Sequence, residues 1–65
     1  MVDGLYNEVT ARLKLAGFVF HRQGKGSHEF WMHPDTGKKI LIARSLKGRG
    51  LANRILKQAG LPKLP

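Results

Sequence analysis

The sequence has no cysteine, which excludes a disulfide framework and any thiolate metal site. Acidic residues are scarce as well. Four Asp and Glu stand against twelve Lys and Arg in 65 residues, a net charge of +8. A bias of that size on so short a chain favours a polyanionic partner, with nucleic acid ahead of a merely solvated basic surface. Charge alone leaves membrane surfaces and acidic proteins open, and says nothing about chemistry. Long apolar runs are missing, since no stretch approaches the ~20 residues of a membrane span. The opening MVDGLYNEVTARLKLAG is amphipathic and interrupted by charges, unlike a secretory h-region. A cytoplasmic location without membrane association is therefore the expectation. Repeats, low-complexity tracts and internal linkers are also lacking. Residues 1–65 are expected to form one domain with a small core, burying roughly 60% of the surface that the unfolded chain exposes.

What is present reads as alternating local signals. Asp3 suits a helix N-cap. Leu5, Val9, Leu13 and Ala16 recur at helical spacing on one face, Arg12 and Lys14 favour the C-terminal end, and Gly17 supplies the stop. Three short strands are expected over residues 18–23, 27–33 and 38–43, separated by turns at 24–27 and 33–37. A basic stretch, residues 44–50, leads to a second helix whose apolar stripe is Leu51, Ile55, Leu56 and Ala59, ended by Gly60 and Pro62. Residues 61–65 read as a loosely ordered tail. The result is an α+β fold of order α-β-β-β-α, a three-stranded antiparallel meander with both helices on one face. That order matches the double-stranded-RNA-binding fold, although fold by itself does not fix function.

Chemistry concentrates in the turn Gly24-Lys25-Gly26-Ser27 and the residue after it, His28. Glycines let the backbone approach a ligand and expose amides that cradle phosphate. Lys25 adds a cation, Ser27 a hydroxyl, and an imidazole exchanges a proton near neutrality. Together these are what metal-free RNA cleavage needs: a base for the 2′-hydroxyl and donors for the phosphorane. The plainer reading of the turn is a tight hairpin. A P-loop is excluded by spacing. His21 and His33 read as surface or structural residues, and a zinc site from His21, His28 and His33 lacks ligand spacing and a supporting carboxylate pattern. Arg44, Lys47 and Arg49, ahead of the second helix, form a plausible RNA-backbone footprint or simply a solvated basic loop. Strict alternation along the second strand leaves two registers open. One buries Phe30 with His28; the other buries Trp31 and exposes His28, Phe30 and Met32.

Gly17-Phe18, Arg22-Gln23, Gly26-Ser27-His28, His33-Pro34 and Ile55-Leu56-Lys57-Gln58-Ala59-Gly60 resemble the HicA toxin family, and the similarity runs from the first helix through Gly60. The resemblance implies a double-stranded-RNA-binding-like fold and a type II toxin–antitoxin toxin that cleaves mRNA as an endoribonuclease without a metal or other cofactor. It assigns His28 as the catalytic residue; the residues themselves, not the resemblance, nominate Lys25, Gly26 and Ser27 for the phosphate and Arg44, Lys47 and Arg49 for the RNA backbone. The resemblance also implies a HicB-like antitoxin that covers His28. The sequence departs from the family where many members carry Gly-Thr-Leu before the last helix: here Arg49-Gly50-Leu51 stands, and Gly50 caps more weakly than Thr. The preceding strand ends Ile42-Ala43, with Ser45 where a downstream His is often found. A second proton-transfer partner is not evident; His21, Glu29 and Lys38 are the nominees. The rival reading is a non-catalytic RNA-binding module of the same fold.

Overall fold

The computed structural model describes residues 4–65, so the Asp3 cap lies outside the described residues. The expected order is found: α1 (Gly4–Leu15), β1 (Val19–Gln23), β2 (His28–Met32), β3 (Lys39–Ala43) and α2 (Arg49–Gln58). The strands form one antiparallel sheet in the order β1-β2-β3.

In α1 the four-residue rhythm has the predicted effect. Val9 and Leu13 are fully buried, with Leu5 and Ala16 packed beside them. Thr10 is buried too, and its hydroxyl donates back to the Tyr6 carbonyl at 2.9 Å, so burial leaves no unpaired oxygen. Gly17 ends the helix at φ 101°, a backbone region that side chains disfavour. A Cβ there would also meet His33 Nε2 at 2.7 Å, so the same glycine lets the turn after β2 close against α1. His33 is structural in this setting. It stacks edge-on against Phe18 at 5.2 Å, and its Nδ1 accepts from the Asp35 amide.

The register left open by the sequence is settled by β2. Glu29 and Trp31 face the helices and are buried, whereas His28 is exposed and Phe30 and Met32 are partly so. Ile40 and Ile42 of β3 complete the buried face. The irregularity that alternation requires lies in β1, not β2. The pairing runs Phe20↔Trp31 and then Arg22↔Phe30, so His21 is the extra residue of a bulge. As a result Phe20 contacts Trp31 edge-on at 6.2 Å, while Arg22 joins Phe30 on the open face.

α2 begins at Arg49 after Gly48, with no side-chain hydrogen bond at the cap. Its buried stripe is Ala52, Ile55 and Leu56. This corrects the expected stripe: Leu51 remains 45% exposed, because the residue after it faces the core instead. Leu13, Ile40, Ile42, Leu56 and Val9 are the largest side chains that are fully buried, each contributing about 1.5–3 kcal/mol by removal from water. The closing residues 61–65 have no regular secondary structure, yet Leu61 and Leu64 pack on the core. The Leu64 amide donates to Asn53 Oδ1 at 2.7 Å, which ties this segment to α2. Among the described residues, no helix is long and apolar enough to cross a membrane.

Candidate active site

The hairpin between β1 and β2 is closed by its own backbone. The Gly24 amide donates to the His28 carbonyl and the His28 amide to the Lys25 carbonyl, both at 2.9 Å. The Gln23 side-chain amide donates to the Gly26 and His28 carbonyls at 3.0 Å, which clamps the loop from the strand side. Gly26 supplies the positive φ of 57° that the turn needs. Carbonyls are thus consumed inward, while among the described residues the amides of Lys25, Gly26 and Ser27 donate to no protein acceptor. The loop is thus a tight hairpin whose outer amides are left without a protein partner among the described residues.

His28 starts β2 directly after this loop and opposes Ala43 of β3. It lines two hollows, one on the open face and one where β3 meets α2. The first, of about 420 Å³, is lined by Arg22, Gln23, Gly24, Lys25, Phe30 and Leu41 besides His28. The second, of about 290 Å³, is lined with it by Leu41, Ala43, Leu51, Arg54, Ile55 and Gln58. Among the described residues, no carboxylate lines either hollow. One imidazole is thus flanked by Arg22 and Lys25 on one side and Arg54 on the other.

The remaining sequence candidates are placed unequally. Ser27 Oγ lies 3.4 Å from Ser45 Oγ, and the Ser27 carbonyl accepts from the Arg44 amide at 2.8 Å, which joins the hairpin to the chain leaving β3. Arg44 itself is drawn toward buried Glu29, with Nε 3.6 Å from Oε2 and a side chain that is 63% exposed. Lys47 is exposed. Arg49 lines a separate hollow with Gly4, Leu5, Glu8, Leu64 and Pro65, so the structure does not bring it to His28. The nominees for a second proton transfer also separate from it. Glu29 points to the opposite face, where its Oε1 accepts from the Tyr6 hydroxyl at 2.6 Å and from Trp31 Nε1 at 3.1 Å. Burial first, and then this hydrogen bond and the charge of Glu29, push the Tyr6 phenol up to about 12. Lys38 pairs with His33 at the far end of the sheet, and His21 occupies the bulge on exposed β1. His28 and His33 stand five residues apart, about 16 Å at ~3.3 Å per strand residue. Among the described residues no three His, Cys, Asp or Glu side chains gather as a metal site.

Sequence reasoning missed Arg22, Phe30, Leu41, Leu51, Arg54 and Gln58. The spacing of Leu51, Arg54, Ile55 and Gln58 along one helical face was a usable signal. Arg22 had none, because its facing depends on the bulge.

With this geometry in view, comparison with known proteins bears on what the site is for. The family model described as the HicA toxin of bacterial toxin–antitoxin matches residues 6–61. The chain belongs to the HicA toxin family. The match begins in α1 and ends just beyond α2, so it takes in His28, both hollows and every strand of this HicA-family sheet. No curated protein and no solved structure matches the chain. Membership makes this a toxin of a toxin–antitoxin system, and so implies an antitoxin partner.

Proposed function

We propose that this HicA-family toxin is an mRNA-cleaving endoribonuclease of a type II toxin–antitoxin pair, with His28 as its catalytic residue and no metal in the reaction. One observation carries the reading: the exposed imidazole is common to two cationic hollows that, among the described residues, hold no carboxylate. A phosphodiester crossing from one hollow to the other meets His28, which lines both. The hairpin amides, Lys25 and Ser27 hold the phosphate and stabilise the charge that grows on its oxygens. His28 takes the proton of the 2′-hydroxyl, the 2′-oxygen attacks phosphorus, and the bond to the 5′-oxygen breaks. A 2′,3′-cyclic phosphate and a 5′-hydroxyl result. With no second imidazole lining either hollow, the leaving oxygen takes its proton from water.

Arg44, Lys47 and, from its separate hollow, Arg49 contribute longer-range attraction. The toxin works in the cytoplasm, where mRNA is found. A HicB-family antitoxin covers His28, and the exposed Leu41 and Leu51 beside it give that protein apolar area to bury.

The test is cleavage of RNA by purified protein in EDTA, comparing wild type with His28→Ala. Wild type should cut and leave 2′,3′-cyclic ends, and the variant should lose at least about 100-fold in rate, the usual worth of a positioned acid or base. Binding without cutting would leave an RNA-binding module, and cutting by His28→Ala at the wild-type rate would move the active site elsewhere.

A further inference from the structure

The open face carries an aromatic and planar surface that neither catalysis nor phosphate binding requires. Arg22 Cζ lies 4.3 Å above the centroid of the Phe30 ring, inside the first hollow and within reach of the loop that precedes His28. Arg22 is exposed, so the outer side of its guanidinium is open to solvent while the inner side rests on Phe30. Leu41, 48% exposed, extends the apolar floor toward the second hollow.

A guanidinium already seated on an aromatic ring is a flat, positively charged shelf. Unstacked bases settle on such shelves, because every base has a π-face and the arginine adds a cation–π contribution. A paired base in an A-form helix cannot reach it, since its faces are covered by its neighbours and duplex RNA offers mainly sugar and phosphate edges. Arg54, the one arginine among the residues lining the second hollow, matches the backbone that such a strand would lay over β3. Among the described residues no carboxylate lines the two hollows, so an RNA strand meets no carboxylate repulsion there.

We infer that the Arg22–Phe30 pair is a base-stacking subsite that selects single-stranded over duplex RNA at the His28 site. The inference rests on the reading of His28 as an RNA-cleaving centre, but its test uses binding alone. The His28→Ala protein, which keeps the shelf, is titrated with a fluorescent single-stranded RNA, with a strand of equal length lacking its bases, and with a duplex. The single strand should bind at least tenfold more tightly than either of the others. Adding Arg22→Lys, which keeps the charge and loses the plane, should weaken the single strand by about tenfold. The base-free strand should be unaffected. Equal affinity for single strand and duplex overturns the inference, and so does an Arg22→Lys change that weakens both strands alike. A face that binds no RNA, and is instead only a seat for a protein, overturns it too. If stacking is found but wild type never cuts RNA, the catalytic reading fails and the subsite stands. If wild type cuts RNA and Arg22→Lys leaves binding unchanged, the reverse holds.

Discussion

Neighbouring residues His28 and Glu29 divide the work of β2 by facing opposite sides of the sheet. Glu29 is 6% exposed and gathers the Tyr6 hydroxyl, the Trp31 indole and the Arg44 guanidinium around one carboxylate, so α1, β2 and the chain after β3 meet at a single charge. That cluster makes stability respond to alkali through Tyr6. Its phenol ionises near 10.0 when unfolded and at about 12 in the fold, held up by burial and by the hydrogen bond and charge of Glu29. A raised folded value means the contribution is complete below pH 10 and is lost as pH climbs through 12. Urea unfolding of wild type and Tyr6→Phe across that range should therefore show the wild-type advantage shrinking with pH. A constant difference between the two proteins would mean that Tyr6 is not held protonated by this cluster.

Helix α2 shows at the scale of an element how a correct periodicity assigned the wrong residue. Leu51, Ile55, Leu56 and Ala59 obey helical spacing, but so do Ala52, Ile55, Leu56 and Ala59. In the fold the small Ala52 is the residue pressed against the core, and Leu51 turns toward the hollow shared with His28. Truncating the two leucines should separate these environments. Leu56→Ala removes a fully buried side chain and should cost about 2–5 kcal/mol. Leu51→Ala should stay within about 0.5 kcal/mol of wild type, as surface changes usually do. Chemical denaturation of both variants reads the difference, and equal losses would restore Leu51 to the core. The same contrast marks what the sequence could disclose. Element order, the α1 stripe, the turn glycines and the loop beside His28 follow from local patterns, and were legible. The bulge at His21 leaves no local mark, so the facing of Arg22 was hidden. The placement of Arg49 away from His28 depends on which side of α2 meets the residues at the chain's end, a tertiary fact. His28 and Lys25 were legible as residues, whereas Arg22 and Arg54 beside them were not.

The whole molecule carries its charge with little internal compensation. Among the described residues the ion pairs are Arg12 with Glu8 and the longer Arg44–Glu29 contact, while the net charge is +8. Self-repulsion of that kind weakens the compact state and is screened by salt. Moderate sodium chloride should therefore raise the melting temperature. RNA binding should move the other way, because each phosphate neutralised releases counterions and costs a slope of about 0.7 in log affinity against log salt. If Arg22, Lys25 and Arg54 each meet a phosphate or a base step near His28, replacing Arg54 by Gln should reduce that slope by about one phosphate equivalent. Arg49→Gln, in the separate hollow, should reduce it less. Thermal scans and salt titrations of His28→Ala binding, run over the same salt series, measure both trends. A melting temperature that falls with salt would show that the charges stabilise the fold in ways the two ion pairs do not reveal. Equal slopes for Arg54→Gln and Arg49→Gln would mean that the RNA does not follow the path between the two hollows. The opposed signs are the point of the experiment: the charge that strains the fold is the charge that would draw RNA to His28.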